Sequence, residues 1–190
     1  MKKLILLVVG VLTTTTALFA QNRWKVDKAH AKIGFSVRHM MLSDVDGNFR
    51  KFDATIISSK PDFSDAVFEI TIDVASINTD NETRDNDLKS DKYFDVAKYP
   101  EITFKSTSLE KTGDNVYKVT GNLTMHGVTK SISVELKLNG TGTGAMTHKP
   151  VAGFKVTGTI DRTEFGVGSV PAAMIGDKVE LRVNGEFGQE

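Results

Sequence analysis

Between residues 66 and 74 the chain gives its cleanest alternation, with Phe68, Ile70, Ile72 and Val74 on one side and Glu69, Thr71 and Asp73 on the other. Successive side chains of a β-strand point to opposite faces, so this run predicts a strand with one face buried and one in water. The same two-residue period recurs along most of the chain. Ile33, Phe35 and Val37 alternate with Lys32, Gly34 and Ser36; Ile102 and Phe104 with Thr103 and Lys105; Tyr117, Val119, Leu123 and Met125 with Lys118, Thr120, Asn122 and Thr124. Ile132, Val134, Leu136 and Leu138 face away from Ser131, Ser133, Glu135 and Lys137, and two more apolar faces follow in Phe154, Val156 and Ile160 and in Val179, Leu181, Val183 and Phe187. Between residues 47 and 58, Phe52, Ala54 and Ile56 share a face while Phe49 and Ile57 fall on the opposite one, which predicts a bulge or an aromatic on the outer surface.

About eight such strands follow Ala29, and the stretches between them carry turn chemistry. Residues 38–42 form a short corner, Lys60-Pro61-Asp62 and Gly113-Asp114-Asn115 are turns, His126-Gly127 ends a strand, 139–144 is a loop, and 161–171 is a Gly-rich excursion. Parallel strands need helical crossovers and near-continuous apolar runs, and neither is present. An up-and-down antiparallel barrel or a sandwich remains. The barrel is preferred, because simply connected neighbouring strands pair as a meander and closure is the way to remove free edges. An eight-stranded barrel is either filled by its own side chains or holds one small ligand. If hollow, its wall comprises Phe35, Phe68, Ile70, Ile72, Phe104 and Leu123 from the earlier strands and Ile132, Val134, Leu136, Phe154, Val156 and Leu181 from the later ones.

One long interval, residues 77–106, breaks the alternation. Asp80, Glu82, Arg84, Asp85, Asp87, Lys89, Asp91 and Lys92 crowd its first half. Asn78, Thr79 and Asp80 are helix N-cap types, and early acidic residues oppose the helix dipole, so residues 81–90 are expected to form a short helix. Tyr93 and Phe94, then Tyr99-Pro100, would tuck an aromatic cluster beneath it, with extended chain resuming at Glu101. The result is a charged helical lid on an all-β protein.

Composition adds an address. Lys2-Lys3, an apolar run from Leu4 to Leu12 and a Thr-rich stretch ending at Ala20 have the plan of a secretory signal peptide, and the run is too short to cross a bilayer. Residues 1–20 are therefore expected to be removed, leaving a single domain over 21–190 that is periplasmic or secreted and has no stable membrane anchor. The chain has no cysteine, so its stability must come from a core rather than disulfides. Without Lys2 and Lys3 the 24 basic residues become 22 against 24 acidic ones, a formal charge of −2, and no basic face is evident. Nucleic acid, whose binding rests on concentrated Lys and Arg, is not an expected partner.

Candidate chemistry is sparse. His30, His39, His126 and His148 lack the spacing of a zinc site, so no metal is expected. Gly166-Val-Gly-Ser169 does not fit a nucleophile elbow, and the loop from Gly140 to Gly144 lacks the lysine of a phosphate loop. Asp85, Asp87 and Asp91 are read as a solvated helix face. Arg84-Asp85 either pins the lid to the barrel or offers Arg84 to a polar ligand head. His39 and Arg84, both placed at the mouth, complete the candidate ligand-binding set.

Four stretches point further: Trp24-Lys-Val-Asp27 with His30 and Phe35-Ser-Val-Arg-His39; Asn81-Glu-Thr-Arg-Asp85 through Phe94 to Tyr99-Pro-Glu-Ile-Thr-Phe104; Gly121-Asn-Leu-Thr-Met-His-Gly-Val-Thr-Lys130; and Asp161-Arg-Thr-Glu-Phe-Gly166. In that order they resemble the signature segments of the YceI-like family, across essentially the whole chain after residue 20. The resemblance implies a lipocalin-like eight-stranded barrel whose apolar interior holds a long polyisoprenoid chain, in an exported bacterial protein. The expected function is carriage or buffering of an apolar chain-like lipid, a polyisoprenoid or isoprenoid quinone, without catalysis and with no cofactor beyond that lipid. A homodimer is a further option. The competing reading is an exported enzyme acting on a lipid or isoprenoid derivative, with His30, His39, Arg84 or Asp85 converging at the mouth. A filled barrel that binds a partner on its outer surface is a third.

The address is directly testable. Protein recovered from outside the cytoplasm should begin near Gln21 by intact mass, and an intact Met1 in that fraction contradicts the expectation.

Overall fold

The alternating segments pair edge to edge until the last meets the first. The computed structural model describes residues 21–190, so the proposed signal peptide lies outside the described residues. Closure runs through β1 (Asn22–His39), whose length lets it serve three partners. One edge of β1 pairs with β10 (Ile175–Gln189), antiparallel from Trp24↔Gln189 to Val37↔Val179 and beyond. Its other edge pairs first with β3 (Phe52–Ser58) and then with β2 (Ser43–Phe49). The order continues from β3 through β4 (Val67–Asp73), β6 (Glu101–Gly113), β7 (Val116–Met125), β8 (Val128–Thr143) and β9 (Pro150–Asp161) to β10, while the two-residue β5 (Ile77–Asn78) adds to β2. With β2 and β3 as two halves of one bent strand, this is a closed eight-stranded antiparallel barrel. Closure removes the long free edges that an open sheet of this size would expose.

The helix forms where the charged segment predicted it. α1 spans Glu82–Lys89; Asn81 is its N-cap, its side chain accepting from Arg84 N at 3.0 Å, and Ser90 is its C-cap. Two local readings change, and one strand proves longer than its alternating run. Phe49 is buried and faces inward, because Arg50 and Lys51 leave the ladder between β2 and β3 and reset the alternation. The loop expected at 139–144 is strand: β8 runs to Thr143 opposite Pro150, with a bulge after Leu138, and the tip is closed by Gly144 N donating to Lys149 O at 2.8 Å. Both faces of that extension are exposed, so it needs no apolar alternation, and its Gly and Thr residues resemble turn chemistry. Lastly, β1 runs unbroken through Lys28, Ala29 and His30, which bulge out where the pairing jumps from Asp27↔Glu186 to Ala31↔Gly185.

The interior is packed in two clusters, and toward the upper end Ile72, Val74, Ile77, Ile102, Leu123, Met125, Ile160, Phe165 and Val167 form one of them. β1 starts, β6 ends and β7 starts at the lower end, and there Trp24, Phe63, Phe68, Phe154 and Phe187 form an edge-to-face aromatic plug. Phe154 is its hub, with ring centroids 5.0 Å from Phe63, 5.8 Å from Phe68 and 5.7 Å from Phe187. Such pairs add roughly 0.5–1.5 kcal/mol each beyond area burial. Phe63 is delivered by the loop between β3 and β4. Tyr117 donates its hydroxyl to Asp62 O at 2.7 Å, and Asp65 accepts from Ser58 Oγ at 2.5 Å and Ser59 N at 2.9 Å.

Asp65 therefore ties down the loop that carries the plug. Burial pushes its pKa up, but the Ser58 and Ser59 hydroxyls and the Ser59 and Lys60 N–H groups hold it well below the ordinary value of 3.8. A depressed carboxylate stabilises the fold fully above its unfolded pKa and loses that contribution as pH falls toward the folded one. Asp65→Ala should cost roughly 1–2 kcal/mol at neutral pH, solvent exposure keeping the figure low. In urea titrations the gap between variant and parent should close as pH drops below about 4.

Candidate binding cavity

Between the plug and the upper cluster part of the inward face of the barrel is left uncovered. Phe35, Ile70, Phe104, Ile132, Val134, Val156 and Leu181 have the same inward phase as the plug residues, yet each is only partly buried. Together with Phe68, Val119 and Leu136 at the floor they enclose a cavity of about 590 Å³. That lies inside the roughly 300–1,000 Å³ range of small-molecule sites. Its wall is almost wholly apolar, and its polar lining, His39, Thr79, Asn81, Thr83, Arg84, Asp87 and Arg162, is confined to the upper end.

Thirteen of the fourteen residues singled out from the sequence line this space: Phe35, His39, Phe68, Ile70, Ile72, Arg84, Phe104, Leu123, Ile132, Val134, Leu136, Val156 and Leu181. Phe154 does not. It shares a face with Val156 on β9, but two residues lower it meets the aromatic rings of the plug and is buried among them. Alternation identifies the inward face of a strand and carries no information on depth.

Two glycines that the pattern passed over help to hold the lumen open. Gly47 is the cross-strand partner of Phe35, and a Cβ there would lie 2.2 Å from Phe35 Cζ. A Cβ on Gly121 would lie 2.4 Å from Phe104 Cζ and 2.6 Å from Lys105 O. Each missing side chain lets a phenylalanine ring lie against the wall. The signal lay in the cross-strand pairing, which one sequence does not display.

α1 and the chain after it roof one side of the mouth, contributing Leu88, Tyr93 and Phe94 to the cavity lining. Thr79 is the anchor of this lid. Asp85 is buried and accepts from Thr79 N at 2.8 Å and Thr79 Oγ1 at 2.6 Å; Arg84 donates from Nε to Thr79 Oγ1 and from Nη2 to Thr79 O, both at 2.8 Å. The adjacent opposite charges thus pin the lid, while Arg84 also borders the cavity. Across the mouth, buried Arg162 holds the excursion between β9 and β10. It donates to the carbonyls of Val167, Gly168, Val170, Ile175 and Gly176 at 2.9–3.0 Å and to Asp177 Oδ1 at 3.1 Å. Its importance was hidden in sequence, where it reads as one charge in a Gly-rich loop.

The residues proposed for catalysis do not come together. His39 and Arg84 border the mouth, and Asp85 is committed to Thr79. His30 lies on the outer face, where its Nδ1 is 2.8 Å from Asp27 Oδ2. That hydrogen bond, followed by the attraction of Asp27 and Glu186, raises the His30 pKa above its ordinary value. Asp27, His30 and Glu186 place ligand-type atoms within 4.8 Å of one another, in an exposed group that could offer three donors to a cation but does not border the cavity. His126 Nδ1 lies 3.2 Å from Phe165 O and its ring packs edge-on to Tyr99, a structural setting.

Compared with known proteins, the chain matches the YceI-like domain over residues 24–187. A UPF0312 protein of Staphylococcus aureus (strain USA300) is 36% identical over 166 residues, which is 85% of this chain and 94% of that protein. The crystal structure of the Campylobacter jejuni YCEI protein aligns with a TM-score of 0.71 at 33% identity, covering 87% of this chain and 96% of that one. A polyisoprenoid binding domain from Saccharophagus degradans, implicated in plant cell wall breakdown, aligns with a TM-score of 0.64 at 15% identity over 88% and 98% of the two chains. At that identity the likeness is one of fold.

Gly47→Ala should drive the Phe35 ring into the lumen without disturbing the backbone. Uptake of a small apolar fluorophore should fall several-fold while the melting temperature moves by only a few degrees, which a titration and a thermal scan would check. Gly121→Ala, which also meets Lys105 O, should lower both.

Proposed function

The chain belongs to the YceI-like family, and from that membership and the open apolar lumen we propose that it is an exported carrier or buffer that holds a long apolar chain, a polyisoprenoid or isoprenoid quinone, inside the barrel. The observation that carries this reading is the apolar cavity between two packed clusters, the plug around Phe154 below and the buried residues near the mouth above, with Phe35, Ile70, Phe104, Ile132, Val134, Val156 and Leu181 left partly uncovered between them. An apolar wall with polar groups only at its upper end suits a ligand that is greasy along its length and polar, if anywhere, at one end. The Saccharophagus degradans domain, which shares the fold, is a polyisoprenoid binding domain. Export rests on the pattern of residues 1–20.

Energetics permit useful affinity without a charged contact. Burying about fifteen methylene-sized groups at roughly 0.8 kcal/mol each gives on the order of 12 kcal/mol gross. Ordering and association costs reduce this. The lid, an eight-residue helix whose one buried residue is Asp85, is the natural gate, since so short a helix has little stability of its own. An enzymatic role is less well supported, because His30 and Asp85 are turned to other partners.

The test enlarges a wall residue. Ile70→Trp or Val134→Trp should displace the ligand and leave the fold largely intact, as read by mass spectrometry of an organic extract and by circular dichroism. If wild-type protein yields no stoichiometric apolar chain and both variants lose the 1 to about 3 kcal/mol typical of an overpacked core, the carrier reading fails.

A further inference from the structure

Large apolar side chains are exposed chiefly at the mouth. Among the described residues six stand out, and five of them lie at the open end of the barrel: Met40, Met41 and Leu42 in the turn between β1 and β2, Met174 just before β10, and Val128 at the turn between β7 and β8. The sixth, Met146, is at the tip of the hairpin at the opposite end. Four of the five form one cluster. Met40 N donates to Met174 O at 2.8 Å, and Leu42 N to His39 O at 3.0 Å, so two segments hold their apolar side chains together beside cavity-lining His39 and Ile175.

These side chains stand clear of the surface: Met40 is 55%, Met41 69%, Leu42 81% and Met174 54% exposed. Met40 and Met41 also adopt φ of 50° and 59°, in the left-handed region that favours glycine or asparagine. A turn needing only to reverse the chain would be relieved by those residues. The cations nearby are already matched, with Arg38 3.1 Å from Asp44, Lys178 3.0 Å from Asp161, and Arg182 2.8 Å from Glu180 and 3.7 Å from Asp46. The rim therefore presents a protruding apolar tip within a charge-balanced surround.

We propose that this tip, Met40, Met41, Leu42 and Met174, inserts into the interfacial region of a lipid bilayer and docks the mouth of the barrel against the membrane. The proposal rests on the cavity reading for its purpose: an apolar chain passing from bilayer to lumen then crosses little water. A fluid bilayer fits the tip better than a protein partner does. Flexible methionines adapt to a medium of no fixed shape, and a convex tip with matched charges offers neither a groove nor an unpaired charge for a partner to recognise. Matched charges also mean that docking depends on burial of apolar surface rather than on anionic lipid, so it should be insensitive to salt.

The test uses protein purified from cells, its N-terminus read by mass spectrometry, and phosphatidylcholine vesicles. Because all variants carry the same N-terminus, differences between them report the tip. Wild-type protein and Met146→Ser should float with the vesicles at low and high salt, and the combined variant Met40→Ser, Met41→Ser, Leu42→Ser should partition roughly tenfold or more weakly. That variant should still take up geranylgeraniol at equilibrium but acquire it from vesicles several-fold more slowly. Failure of the wild type to float, equal flotation of the combined variant, or loss of flotation in high salt would overturn the docking proposal. So would a wild-type dimer in gel filtration that the combined variant converts to monomer, since the tip would then be a self-association surface. Flotation without geranylgeraniol uptake would uphold docking and reject the cavity reading instead.

Discussion

The aromatic plug around Phe154 is the constraint on which the rest of the barrel depends. A closed sheet with part of its lumen left unfilled forgoes dispersion contacts along that stretch of wall, and an apolar void of appreciable size lowers stability. The stability must then be concentrated elsewhere. In this chain it is concentrated in two clusters that flank the cavity, the larger below it, where Trp24, Phe63, Phe68, Phe154 and Phe187 meet edge to face and Ile56, Tyr117 and Val119 are almost fully buried, and a second near the mouth around Val74, Ile77, Phe165 and Val167. The plug sets the depth of the cavity as well. The lower cluster both supports the hollow stretch from beneath and fixes how far a ligand can descend.

The upper end faces the opposite problem, since irregular backbone exposes carbonyls and N–H groups that burial would leave unsatisfied. Two polar anchors answer it. Arg162 gathers five carbonyls, three from the excursion between β9 and β10 and two from the start of β10, and Thr79 is gripped by Asp85 and Arg84 at the root of α1. Neither anchor intrudes on the apolar wall, so the mouth can be ordered without making the lumen polar. Arg162 buries a charge, and the five carbonyl dipoles together with the half-exposed Asp177 are what make that tolerable.

Most of the fold was legible because an antiparallel barrel writes itself locally. Each strand is its own alternating run, each hairpin its own turn, and the lid announced itself through N-cap residue types at Asn78, Thr79 and Asp80, although the cap proved to be the next residue, Asn81. What was not legible is relational. Phe154 and Val156 are indistinguishable by period, and only the arrival of Phe63 from a distant loop makes one a plug and the other a wall. Gly47 matters because register sets it opposite Phe35. Phe49 stays open in sequence between a bulge and an outer aromatic because two residues leave the ladder after it, and parity cannot be carried across such a break. The 139–144 segment misled for a different reason: an exposed hairpin arm buries nothing, so its sequence is free to resemble a turn.

These features bear on how selective such a site can be. An apolar wall separates chains differing by one methylene by only about 1–3 kcal/mol, whereas a buried polar group rejects a ligand that cannot pair with it far more strongly. Here the polar groups are confined to the mouth, where Arg162 and Asp85 are already engaged with the protein itself. The wall includes phenylalanine rings laid over glycines, side chains that can tilt without moving the backbone. Selection by such a cavity falls on cross-section and length, limited below by the plug, and bears weakly on the identity of whatever group remains at the mouth. A site of this kind fits a class of chain-like lipids, and the choice among members of that class passes from the interior of the barrel to the chains within reach of its mouth.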